Sequence, residues 1–142
     1  MKFKIVTPER VLLDTEVDSL TLPTSTGEIT ILPHHIPLVS QLVAGEIHYK
    51  SGNEENSFAT SGGIIEVKKD NNIVILADTA EFGHEIDIQR AEQAKEAARK
   101  LMTESIKDQT TYADASAVFQ KNLIRLKVAH KHRTKKQTNI EN

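Results

Sequence analysis

The hydrophobic period of this 142-residue chain changes near residue 86, and that change constrains the fold more than any other feature. Before it, apolar residues come in short or alternating runs: Phe3 to Val6, Val11 to Leu13, Val17 to Leu22, Glu28 to Leu32, Ile47 to Tyr49, Ser57 to Thr60, Gly63 to Lys68 and Ile73 to Ala77. Turn formers separate them, among them Thr7-Pro8, Pro23 to Gly27, Ser51-Gly52-Asn53, Gly62-Gly63 and Asp70-Asn71-Asn72. Strands at this spacing predict an all-β sandwich or flattened barrel built from antiparallel hairpins. The four prolines fall at strand ends or between strands, where a missing N–H costs no ladder bond. Gly62-Gly63 beside a strand predicts a bulge or a close backbone approach. An anion-binding glycine loop there would need a following Lys-Ser/Thr and a helix, and neither occurs.

After residue 86 apolar positions step by three and four. Asp87 is a good N-cap, with Ile86 and Ala91 placed as a hydrophobic staple. Ala91, Ala94, Ala98 and Leu101 make one stripe; Tyr112, Ala115, Phe119, Leu123 and Leu126 make a second. The polar stretch Thr103 to Thr110 lies between, and Thr111 with Asp114 resembles a capping box at the second helix start. The expected fold is therefore α+β: an N-terminal antiparallel β-sandwich over residues 1–85, then an antiparallel two-helix hairpin over 86–133. Residues 134–142 read as a flexible tail. An alanine-lined seam buries little area, and at about 25 cal/mol per Å² it holds a hairpin only marginally. Marginal packing is what a reversible conformational switch requires.

Charge divides at the same place. Through Ile86 there are 6 Lys or Arg against 13 Asp or Glu; from Asp87 on there are 12 against 7. Between Asp114 and Glu141 no acid occurs, while Lys121, Arg125, Lys127, Lys131, Arg133, Lys135 and Lys136 do. The split suggests two segments with different partners, and the last charges read as a solvated tail. A chain without Cys excludes disulfides and thiolate metal sites. No apolar run approaches the roughly 20 residues that span a bilayer, and the N-terminus does not read as a signal peptide. A soluble, intracellular protein without direct membrane insertion is expected.

Candidates for chemistry are few. Adjacent residues on a strand point to opposite faces, so His34 and His35 do not converge on one ion; no metal site is expected. His130 and His132 fall in the basic C-terminal stretch and read as solvated. With no nucleophile motif, phosphate loop or carboxylate pair, no catalytic residue is assigned and an enzyme is not expected. A nucleic-acid adaptor is the rival reading of the basic helix. It lacks interleaved aromatics, and an acidic protein surface suits the same patch at least as well.

In order and spacing, several segments resemble the epsilon-subunit family of bacterial F-type ATP synthases. They are Val6-Thr7-Pro8-Glu9-Arg10; Leu22-Pro23-Thr24 with Gly27-Glu28-Ile29 and Ile31-Leu32-Pro33; Ser61 to Val67; Val74 to Glu81; and Ile86-Asp87-Ile88-Gln89-Arg90-Ala91. The resemblance runs over about residues 2 to 129. It implies a non-catalytic central-stalk subunit that couples the gamma subunit to the c-ring, with its hairpin restraining ATP hydrolysis. The site of action implied is peripheral, on the cytoplasmic face of the bacterial membrane. Partners implied are gamma, the c-ring and the beta and alpha subunits, with no nucleic acid.

By the same resemblance Glu28 and His35 lie where the c-ring is met, and His34 stands where the family usually carries Gly. If that glycine needs positive φ, this loop is expected to be rebuilt. Lys121, Arg125, Lys127 and Lys131 match the basic helix that meets acidic segments of beta. No cofactor is required, but some members bind ATP as a regulatory ligand. Glu81, Ile86, Asp87, Arg90, Ala91 and Arg125 match that motif, while Ala97 and Lys121 depart from it by replacing arginines. Lys keeps the charge but loses the guanidinium fork. A primarily ATP-sensing module is thus the alternative function.

Overall fold

The computed structural model describes residues 1–141 as two compact units, the first ending at Glu81 and the second beginning at Phe82. The first holds β1 (Lys2–Val6), β2 (Val11–Glu16), β3 (Ser19–Thr24), β4 (Gly27–Ile31), β5 (Leu38–Leu42), β6 (Gly45–Ser51), β7 (Glu54–Val67) and most of β8 (Asn72–Phe82). Strand order is β2-β1-β8-β7-β5-β3-β4, with β6 between β3 and β7. The β1–β2, β3–β4, β3–β5, β3–β6, β5–β7 and β6–β7 pairings are antiparallel, whereas β1 runs parallel to β8, Phe3 opposite Ile73 and Val6 opposite Leu76. This closes the first strand against the last, a long-range contact that no local turn signal announces.

Two expected strands, Ser57 to Thr60 and Gly63 to Lys68, are one continuous β7, and β5 is a strand that the sequence patterning did not mark. The N-terminal half of β7 pairs with β6, Gly45 to Thr60 through Ser51 to Glu54. Its C-terminal half pairs with β5, Leu38 to Val67 through Leu42 to Gly63. The change of partner falls at Gly62 (φ 129°) and Gly63 (φ 147°). A Cβ on Gly63 would collide with the carbonyl oxygen of Leu76 and lie 2.9 Å from Cα of Ala77. The glycine pair is therefore the corner at which a strand crosses between layers.

Inward residues of these strands form the core. Phe3, Ile5, Leu20, Leu22, Ile31, Ile47, Phe58, Ile65 and Ile75 are fully buried. Tyr49 bridges the two phenylalanines, its ring centroid 5.8 Å from Phe3 and 6.4 Å from Phe58. Burial, with Glu54 second, pushes its phenol above the usual range.

The second unit is a 3₁₀ turn (Gly83–Glu85) followed by α1 (Ile88–Glu104) and α2 (Gln109–Glu141). Asp87 caps α1 as expected, its Oδ1 accepting the Arg90 N–H at 3.1 Å. The second cap differs from the expected Thr111/Asp114 box. Asp108 accepts the Thr111 N–H at 3.3 Å and the Thr111 hydroxyl at 2.8 Å, so the helix starts earlier. Thr111 is thus a first-turn residue that donates to the cap, and these hydrogen bonds hold the Asp108 carboxyl below its ordinary range. Only residues 105 to 108 separate the helices, a link short enough to fold them back on each other.

The seam is thinner than the two apolar stripes suggested. Ala91 and Ala98 are buried on α1, and Ala115, Asn122, Leu126, Val128 and Ala129 on α2, whereas Leu101, Tyr112 and Leu123 are exposed. Ala115, Asn122 and Ala129 are seven apart, a heptad spacing with a polar residue at its centre. Residues 134–141, expected as a flexible tail, continue α2 and are all exposed; residue 142 lies outside the described residues.

Candidate functional site

The sandwich carries two surface features outside its core. The first is the segment between β4 and β5. His34 has φ 67° and donates its N–H to Oδ1 of Asn71 at 2.9 Å, while Asn71 itself has φ 63°. A non-glycine residue thus takes the left-handed conformation that glycine favours. A side-chain acceptor from another turn holds it there. His35 N–H donates to the Leu32 carbonyl at 3.1 Å, and its ring Nδ1 lies 2.7 Å from the Ile36 carbonyl. Glu28 is exposed, opposite Pro23 across the β3–β4 pair. Leu32 and Ile36 flank the two histidines and are exposed as well.

The second feature is the outer face of the sheet, which the sequence reading missed. Val39 on β5, Ile64 on β7 and Leu76 on β8 are 70%, 51% and 55% exposed. These strands are neighbours, and Leu76 pairs with half-buried Val6 on β1. A sheet with one face in water normally alternates apolar and polar residues. The run Ile73-Val74-Ile75-Leu76-Ala77 does not alternate, and neither does Ile64-Ile65. Strands apolar on both faces were therefore the available signal for a face that a partner covers.

The residues matched to an ATP motif divide by burial, all but Glu81 in the second unit. Ile86 and Ala91 are buried, the Asp87 carboxylate caps α1, and Arg90 is exposed in the first turn of that helix. Arg125 is half-buried on α2, its Nη1 donating to Oδ1 of Asn122 at 3.0 Å; the Asn122 amide in turn donates to the Val118 carbonyl at 2.9 Å. Glu81 is half-buried near the end of β8.

Basic residues on α2 do not form one stripe. At 100° per residue, Lys121 and Arg125 stand about 40° apart, as do Lys127 and Lys131, but the two pairs point about 120° apart around the helix. Lys121 and Arg125 are half-buried, and Lys127 and Lys131 exposed. Near the interhelical link, Ala94, Ala97, Ala98, Leu101, Thr111, Asp114, Ala115 and Val118 line an open groove of about 430 Å³. Among the described residues no group of three His, Cys, Asp or Glu is placed to hold a metal ion. Among the described residues no helix is long and apolar enough to cross a membrane.

A β-sandwich with an uncovered apolar face, joined to a thinly packed helical hairpin with a basic second helix, defines a two-part adaptor protein. The chain belongs to the ATP synthase delta/epsilon chain family. Its beta-sandwich domain matches residues 1–83 and its long alpha-helix domain residues 84–130. Among curated relatives, the ATP synthase epsilon chain of Dehalococcoides mccartyi (strain CBDB1) is 44% identical over 94% of both chains. The epsilon chain of Syntrophobacter fumaroxidans is 42% identical over 92% of this chain and 96% of its own. The fold matches a chain in the OSCP/F1/c-ring assembly of the Euglena gracilis mitochondrial ATP synthase with a TM-score of 0.76. That match has 22% identity and covers 86% of this chain and 76% of that one.

Proposed function

We propose that the chain is a non-catalytic central-stalk subunit of a proton-translocating F-type ATP synthase, coupling gamma to the c-ring and restraining ATP hydrolysis through its hairpin. Family membership over both units supports the assignment. The observation that carries the mechanics is the Val39–Ile64–Leu76 face, whose apolar side chains need a partner that turns with the sandwich. We assign that face to gamma. The Glu28 and His35 region, with exposed Leu32 and Ile36, is assigned to the polar loops of the c-ring, which puts the protein at the cytoplasmic face of the membrane without entering it.

The hairpin supplies the brake. Its alanine-lined seam, interrupted by buried Asn122, makes opening inexpensive. The basic pairs Lys121/Arg125 and Lys127/Lys131, pointing about 120° apart around α2, suit a helix that meets acidic surfaces of the beta and alpha subunits on more than one side. The test adds the full chain, or a chain ending at Ile86, to the cognate catalytic head stripped of this subunit. Slowing of hydrolysis by the full chain alone is expected. Equal inhibition by both would remove the hairpin from the mechanism, and failure of either to bind would remove the assignment.

ATP sensing is the second reading, favoured by exposed Arg90 in the first turn of a capped helix, a position suited to phosphate oxygens. Buried Ile86 and Ala91 then serve packing, and Arg90 with Arg125 supplies charge. Equilibrium titration with millimolar ATP is the check; a signal that does not saturate, or that persists in Arg90→Ala, rejects it.

A further inference from the structure

The turn leading into the hairpin and the far half of α2 bring together an imidazole pair that the stalk function does not use. An ideal Cβ on Gly83 would lie 2.7 Å from Cβ of His132 and 2.9 Å from the Val128 carbonyl oxygen. The turn therefore packs backbone against helix, with no room for a larger residue. Beside that contact stand His84, from the turn, and His132, from α2, with ring centroids 5.7 Å apart and planes inclined by 53°. Phe82 lies nearly parallel to His84, with ring centroids 5.6 Å apart. Both imidazoles are exposed, and among the described residues neither ring nitrogen takes part in a hydrogen bond or ion pair.

We propose that His84 and His132 form a two-histidine site for a divalent transition-metal ion of the imidazole-preferring class, with Zn²⁺ as its representative. Neutral imidazole suits Zn²⁺, Ni²⁺ and Cu²⁺, whereas Mg²⁺ and Ca²⁺ take oxygen ligands. With Zn–N bonds of about 2.1 Å, two rings on one tetrahedral ion have centroids roughly 5 Å apart. The observed separation needs only a sub-ångström closure, within the torsional freedom of exposed rings. The neighbouring carboxylate, Glu85, accepts the Phe82 N–H at 3.0 Å in the turn. Water or a small anion therefore completes the ion's shell, making an exchangeable site rather than a closed structural one.

Residues 84 and 132 lie far apart in sequence, so an ion shared between them cross-links the turn to α2. It stabilises that packing against any arrangement in which the helix leaves the turn. The chain's other histidines offer no equivalent. His34 and His35 are adjacent in a turn, His48 lies 3.3 Å from Glu46, and His130 projects from a different side of α2 than His132.

The experiment titrates the full chain with ZnCl₂, and with MgCl₂ as control, following heat of binding, histidine ring NMR signals and thermal unfolding. Saturable binding of one Zn²⁺ is expected, with the His84 and His132 signals moving together and the unfolding midpoint rising with Zn²⁺ alone. His84→Gln and His132→Gln should each weaken binding by about 100-fold, the loss of a chelate, while His130→Gln leaves it unchanged. Circular dichroism on the same samples confirms that the variants fold. Undiminished binding in His84→Gln would put the ion on other histidines and overturn the proposal, as would the absence of saturable Zn²⁺ binding.

Discussion

His34 and Gly63 show how differently two positive-φ positions constrain the same unit. At Gly63 a side chain meets backbone, the Leu76 carbonyl, which cannot yield without parting β7 from β8. Gly63→Ala should therefore cost more than about 3 kcal/mol, in the range reserved for core and backbone failures, as read by urea unfolding. Gly52, at φ 60° with nothing within 4 Å of an added Cβ, is the control; Gly52→Ala should cost only about 1 kcal/mol. His34 has the reverse problem, a Cβ in a left-handed conformation held by a backbone bond to Asn71. His34→Gly keeps the N–H donor and relieves the conformation, so it should stabilise the sandwich by up to about 1 kcal/mol. Nothing local in the sequence points to Asn71, 37 residues away, as the residue that holds position 34; only the fold discloses it.

At the scale of elements, the hairpin depends on its two caps and on how little its seam buries. Asp87→Ala removes the acceptor for the Arg90 N–H and should cost about 1 kcal/mol. The Asp108 cap is pH-sensitive in a definite direction. Its folded-state carboxyl titrates below the ordinary 3.8 because Thr111 hydrogen-bonds to the charged form. Its contribution is thus fully present above the unfolded value and is lost as pH falls through the depressed one. Helicity followed on acid titration should fall in that window, and Asp108→Ala should remove this part of the pH dependence. In the seam, Asn122 makes its two hydrogen bonds within α2 and fills a heptad position that an apolar residue would stabilise. Asn122→Leu should strengthen the hairpin by about 1 kcal/mol, what remains of a buried leucine's roughly 2 kcal/mol after Arg125 loses its acceptor. If an openable hairpin is the brake, the same substitution should weaken inhibition of the catalytic head while leaving binding intact.

Across the whole molecule, each unit has its own buried residues, and function divides the same way. The sandwich holds its core entirely within residues 1 to 81. A chain ending at Ile86 is expected to unfold as one cooperative transition and still bind gamma. Placing Asp at Ile64 and Leu76 together should leave that transition little changed, because both side chains are exposed. The same change should abolish retention on the stalk, measured by co-purification with gamma. Retention undiminished by two carboxylates on that face would move the gamma interface elsewhere on the sandwich.

What the sequence determined by itself was whatever rests on local chemistry. The period change set the border between β and α, Asp87 announced its cap, Gly62-Gly63 announced a kink, and the acid-free stretch announced a basic helix. Ordered motifs supplied the family. Tertiary structure decided what depends on neighbours distant in the chain: the parallel closure of β1 on β8, the exchange of β7's partners at its glycines, and the 5.7 Å meeting of His84 with His132. It also decided which apolar residues stay exposed. Periodicity records that a face is apolar, but whether the same chain covers that face depends on how strands distant in sequence are laid side by side.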